Sequence, residues 1–277
     1  MEKTLELLEF NKILNMLASK TDTVMGRELV EDLRPVSNLA LLEKWQKETT
    51  DGCSLLTKIN FNLSGITDLR PLLVRCRRGG SLNSLQLREV ANNLLVLKKS
   101  KKILMEYGRS IILDMTGGIG DFHRLERELL SSISEEGEVL DNASNELSRI
   151  RKEIRTARGR IQRELDRVLK SSTFNRYLQE NIVTQRNNRY VVPVKVEYKA
   201  QVQGIVHDQS ASGSTLFIEP VTVVEANNHL NQLHNQEQKE INRILADLSD
   251  EVSKNYDDLR EALNTAAEID FILSKSK

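Results

Sequence analysis

The sequence predicts a mainly α-helical protein: a helical core domain, then a long antiparallel helical hairpin with a small antiparallel β insertion at its tip. Three observations predict it. Charged residues make up 29% of the chain and aromatics only 4%, a balance that suits long helices better than a thick mixed core. Only four prolines punctuate 277 residues, so helices can run far without a break. One stretch alone, residues 181–220, gives up helical periodicity for β-branched runs between turn formers.

Residues 1–122 read as the helical core domain. Phe10, Ile13, Leu14, Leu17 and Ala18 recur at helical spacing. A second helix stops at Leu33-Arg34-Pro35, because a residue before proline is pushed out of the α region. A third starts after Ser37-Asn38, two capping residues, and carries Leu41, Leu42, Trp45 and Thr49. The Gly79-Gly80-Ser81 turn then separates a short helix from one spanning about Ser84 to Tyr107.

Residues 123–172 read as the ascending arm. A helix through Leu130 is interrupted around Glu135-Glu136-Gly137, and a long helix follows from Asn145 to about Ser171, with Ser144 as N-cap and Glu146 in its first turn. Its apolar residues Leu147, Ile150, Ile154, Ala157, Ile161, Leu165 and Val168 step by three and four, a coiled-coil seam. At 1.5 Å per residue that helix is roughly 40 Å long.

Residues 173–222 read as the β insertion. Ile182-Val183-Thr184 and Tyr190 to Val194 flank the turn Arg186-Asn187-Asn188; Val202 to His207 and Thr215 to Ile218 flank Ser210 to Ser214. Pro193, lacking an N–H, places its strand at an edge or a bulge. Residues 223–277 return to helix, with a stripe from Leu230 to Ile269 interrupted near Glu237. Residues 141–171 hold nine Lys/Arg against five acids, net +4; residues 221–277 hold six against eleven, net −5. Two arms of matching period and opposite sign are expected to pair.

Several function classes recede. Formal net charge is zero, so no global field draws nucleic acid, and any such binding must come from local patches. Cys53 and Cys76 form no C-x-x-C pair and read as reduced thiols of a cytoplasmic protein. The opening MEKTLELLEF has no signal-peptide h-region, and no run approaches the ~20 apolar residues of a membrane span. No G-x-x-x-x-G-K-[ST] occurs, and Gly117-Gly118-Ile119-Gly120 lacks both its spacing and its lysine.

Arg189-Tyr190-Val191-Val192-Pro193-Val194-Lys195, followed by the run from Gly204-Ile205-Val206-His207-Asp208-Gln209-Ser210 to Glu219-Pro220, resembles the second bacterial MutS subfamily, as do Leu8-Glu9-Phe10 and Leu33-Arg34-Pro35. That subfamily lacks the mismatch-recognition domain and carries a Smr nuclease tail. The resemblance implies helical core, lever helices and clamp, followed by a dimerising ATPase that uses ATP and Mg²⁺. The chain stops before any nucleotide site, so neither ATPase nor nuclease is expected of it. The implied partners are nucleic acid, as branched DNA in suppressing recombination or as rRNA of stalled ribosomes, and a second copy in the full-length protein. Neither a membrane nor a small-molecule substrate is implied.

Two groups are candidate nucleic-acid contacts. Arg160, Arg163, Arg167 and Lys170, spaced 3, 4, 3, share one helix face. They suit phosphate oxygens, and equally suit a solvated face or ion pairs with the acidic return helix. At the insertion, Arg186, Arg189, Lys195 and Lys199 join Ser210, Ser212 and Ser214, whose hydroxyls can bind phosphate or simply shape a turn. His207, Asp208 and Ser210 invite a hydrolase reading, but neighbours on one strand face opposite ways. His229 and His234, five apart, miss the i, i+4 spacing of a shared metal. The alternative to gripping is a structural module that only scaffolds and dimerises.

Overall fold

The structure, a computed structural model, describes residues 2–277, with side chains from Leu5 onward. The helices are α1 (Glu2–Leu7), α2 (Phe10–Ala18), α3 (Val24–Glu31), α4 (Leu39–Lys58), α5 (Arg70–Arg77), α6 (Ser84–Tyr107), α7 (Ser110–Met115), α8 (His123–Ser132), α9 (Asn145–Lys170), α10 (Ser172–Asn175), α11 (Val221–Lys254) and α12 (Tyr256–Ser276). The strands are β1 (Thr184–Arg186), β2 (Arg189–Lys195), β3 (Gly204–Gln209) and β4 (Thr215–Pro220). The protein is therefore mainly α with a small antiparallel sheet, and it divides into two compact units: Met1–Leu140 with Leu245–Lys277, and Asp141–Ile244.

In the first unit, α12 packs on α3 and α4 around buried Leu55, Leu259, Leu263, Ile269 and Leu273. Polar groups are matched as carefully as apolar ones. Asp270, fully buried on α12, accepts from the Asp22 N–H at 2.9 Å, the Thr23 N–H at 2.8 Å and the Thr23 hydroxyl at 2.7 Å. Burial pushes its carboxyl above the usual range, against the downward pull of those donors. Thr23 in turn caps α3 by accepting from the Gly26 N–H. Asn83 opens α6 with a reciprocal capping box to Gln86. Cys53 is exposed and Cys76 buried, both as free thiols, and burial pushes the Cys76 thiol up.

In the second unit, α9 lays Ile150, Ile154, Ala157, Ile161 and Leu165 against Val223, Leu230 and Leu233 of α11 and Val192, Val194, Leu216 and Ile218 of the sheet. The seam read from spacing is the face that is buried. Ser144 caps α9, accepting from the Leu147 N–H at 2.9 Å and donating to Glu240 of α11 at 2.6 Å. Arg243 and then Ser144 hold the Glu240 carboxyl down to about 2. A depressed carboxylate stabilises above its unfolded pKa and loses that contribution as pH falls through its folded one. The second unit should therefore lose about 1 kcal/mol between roughly pH 5 and 2, discounted because Arg243 is half exposed. Urea melts across that range should show a flatter decline in Glu240→Gln; an unchanged decline would remove this link between the arms.

The strand order is β1-β2-β4-β3, every neighbour antiparallel. Two details correct the sequence expectation. The first turn needs only Asn187 and Asn188, both at positive φ (50° and 60°), which pairs Arg186 with Arg189. β1 therefore begins at Thr184, leaving Ile182 outside it and 47% exposed. β2 is interior, not an edge. Pro193 is tolerated because β1 pairs no further than Val191, and beyond it Pro193 presents its carbonyl to the Gln179 N–H at 2.9 Å.

The return helix differs as well. Expected as one returning helix, it breaks at Asn255 between α11 and α12, where the Asn255 side chain donates to the Glu251 carbonyl. At Glu237, the gap in the apolar stripe, the carboxylate meets Arg151 of α9 at 2.7 Å. Other charges of α9 are met within the helix itself: Arg149 pairs with Glu146 and Glu153, and Arg167 with Glu164.

Candidate nucleic-acid interface

The α9 row is built by the same seam that buries the opposite face. With Ile161 and Leu165 fixed inward, Arg160, Arg163, Arg167 and Lys170 must point out, and all four are exposed. Arg167 pairs with Glu164 at 2.8 Å. Among the described residues Arg160, Arg163 and Lys170 have no ion-pair partner, and none of the four pairs with the return helix.

The insertion residues fall into two groups at opposite ends of β2. At its N-terminal end, both arginines are engaged by the protein itself. Arg189 donates to Glu219 at 2.9 Å and to Asn228 at 2.7 Å. Glu219 is fully buried and also meets His207 Nε2 at 2.6 Å and the Asn227 amide at 2.7 Å. Asn227 ties this cluster to the backbone, accepting from the Tyr190 N–H and donating to the Tyr190 carbonyl. Arg186 pairs with Asp208 at 3.1 Å and lies 4.0 Å over the Phe217 ring. A buried carboxylate must be paired to be tolerated, and this arrangement matches Glu219 with Arg189, a ring nitrogen and an amide.

The same contacts separate the three groups of the hydrolase reading. His207 turns inward to Glu219, Asp208 outward to Arg186, and Ser210 accepts from the Thr215 N–H. His234 lies near Glu237 at 3.4 Å, and His229 is exposed. Among the described residues no three His, Cys, Asp or Glu side chains gather as metal ligands, and no helix is long and apolar enough to cross a membrane.

At the other end of β2 lie Lys195, Lys199 and the serine turn. Lys195 is opposite Thr215 in register, and the Val196 N–H donates to the Ser214 carbonyl at 3.0 Å. Ser212 Oγ lies 2.8 Å from Ser214 Oγ and 3.3 Å from Ser210 Oγ, and Gly213 supplies the positive φ of 72° that closes the turn. Three half-buried rings border this end: Phe174 and Tyr177 with centroids 6.3 Å apart, and Tyr177 and Tyr198 at 5.2 Å. Lys195 Nζ hovers 5.9 Å over Tyr198. The sequence reading passed over these rings. The signal for them was the interleaving of basic and aromatic residues, Lys170-Phe174-Tyr177 and Lys195-Tyr198-Lys199.

No family model matches the chain. Among curated proteins, "Endonuclease MutS2" of Ruminiclostridium cellulolyticum is 42% identical over 281 residues, covering 100% of this chain and 36% of its own length. The protein of that name from Symbiobacterium thermophilum is 44% identical over 278 residues, covering 100% and 35%. That from Clostridioides difficile is 37% identical over 282 residues, covering 100% and 36%. The chain thus spans about a third of the length of the curated relatives it matches. With its long helices, small sheet and end-to-end likeness to these proteins, the chain belongs to the MutS2 family.

Proposed function

We propose that residues 141–244 are a nucleic-acid grip, the clamp and lever part of a dimeric MutS-type ATPase, and that this chain carries no catalytic site of its own. The single observation behind it is the α9 face, where Arg160, Arg163 and Lys170 stand exposed without acidic partners among the described residues. Such cations on a rigid helix can each displace a condensed counterion from a phosphate chain. ATP and Mg²⁺ would act beyond residues 1–277, which contain no phosphate-binding loop. The relatives' name, endonuclease, belongs to chains nearly three times as long. Branched DNA and the rRNA of stalled ribosomes both present the phosphate such a grip needs, and both would be met in the cytoplasm.

The test is salt-dependent binding of a labelled branched DNA. Replacing Arg160, Arg163 and Arg167 with alanine should lower the slope of log K against log salt by about 2–3, since each lost phosphate contact contributes roughly 0.9. An unchanged slope, or no binding by the native chain at low salt, would place the phosphate contacts elsewhere and favour a purely structural module.

A further inference from the structure

The serine-turn end of the sheet has aromatic surface and little charge, and this combination selects a different feature of the same ligand. Lys195 and Lys199 are countered by Glu197 in the turn between them. The net charge of +1 over these three residues is a weaker pull on phosphate than that of the α9 row. The rings are another matter. Tyr177 and Tyr198 are in contact at 5.2 Å, and both are half-buried, so each keeps some solvent-facing surface. Both rings pack against the core of their unit, while their hydroxyls, without a protein partner among the described residues, are left to solvent. The ammonium of Lys195 sits at the outer limit of a cation–π contact with Tyr198 and has no carboxylate partner among the described residues. A flexible lysine held that loosely can leave the ring and follow a phosphate.

We propose that Tyr177 and Tyr198, flanked by Lys195 and Lys199, form a stacking platform for unpaired nucleobases. The ligand class is therefore a nucleic acid with single-stranded bases, not continuous duplex. Stacked bases in a duplex offer only their edges, whereas a splayed base offers a π face to a ring. Work is divided along the unit: the α9 row takes the backbone, and the aromatic end senses whether the bases are free. The serine hydroxyls, with Ser210 and Ser214 at 3.3 and 2.8 Å from Ser212, are polar groups available to the sugar and base edges beside the platform. The inference rests on the gripping role proposed above.

The experiment compares a labelled oligothymidine of about 16 nucleotides, within the footprint of one small single-strand-binding surface, with a blunt duplex of equal length. The native chain should prefer the single strand. Tyr198→Leu should weaken oligothymidine binding about tenfold and duplex binding by less than about twofold, and Tyr198→Phe should retain the native value, because the ring is what stacks. Circular dichroism melts identify a variant that has lost its fold; Tyr177→Leu then serves in its place. Equal affinity of the native chain for the two probes, or oligothymidine binding untouched by both leucine variants, overturns the platform and leaves the grip standing. Binding of neither probe by the native chain overturns both.

Discussion

Glu219→Ala is expected to destabilise the unit of residues 141–244 by about 3–5 kcal/mol, the usual result of removing one partner from a buried ion pair. The carboxylate is fully buried, and its loss leaves His207 Nε2 without its partner, Arg189 with only the Asn228 amide oxygen and the Asn227 amide with only the Tyr190 carbonyl. The cost lies in the orphaned groups more than in the lost contacts. That distinction can be tested. Replacing Glu219, Arg189 and His207 together by apolar residues of similar volume should recover most of the loss, because no charge is then left unpaired. Hydrogen exchange of the β2 and β4 amides reads the effect on this unit alone. Glu219→Ala within about 1 kcal/mol of the native protein would mean that the cluster is solvated in solution and not the internal anchor described above.

Asp270→Ala should cost the other unit about 2–4 kcal/mol. One carboxylate satisfies two backbone N–H groups and the hydroxyl that caps α3, so its removal loses three hydrogen bonds and loosens a helix start. Gly26 supplies an independent check. A Cβ there would run into the Asp270 carboxylate, so Gly26→Ala should destabilise although alanine is the better helix former. Combined with Asp270→Ala, the same substitution should become nearly neutral, since the obstacle is gone. Urea melts of the four proteins complete the cycle. Additive losses would show that the two residues do not meet.

The long elements were legible because burial and periodicity coincide in them. On α9 every residue assigned to the seam from Leu147 to Leu165 is buried, and Ser144 is the cap its spacing implied. Failures arose where a local signal was overridden by a partner distant in sequence. Pro193 reads as an edge residue, yet β1 ends before reaching it. Arg189 reads as a free cation, but its partner Glu219 lies 30 residues on and meets it only once β2 pairs with β4. Glu237 reads only as a gap in an apolar stripe, because the Arg151 that meets it lies 86 residues earlier. The α9 row was easier to place because its outward direction is dictated within one helix. What the row binds was not legible from spacing, since a phosphate contact and a solvated arginine present the same pattern.

Pro220 is the last residue of β4 and Val221 the first of α11, so no loop separates sheet from helix. Slack is what ordinarily lets one element drift while its neighbour stays put, and here there is none. Asn227, two turns into α11, also clasps the β2 backbone at Tyr190, giving the junction a second attachment beside the covalent one. A torque applied to the sheet must therefore turn the first turns of α11 with it. Two glycines spliced between Pro220 and Val221 would uncouple them, leaving both elements folded but free to swivel.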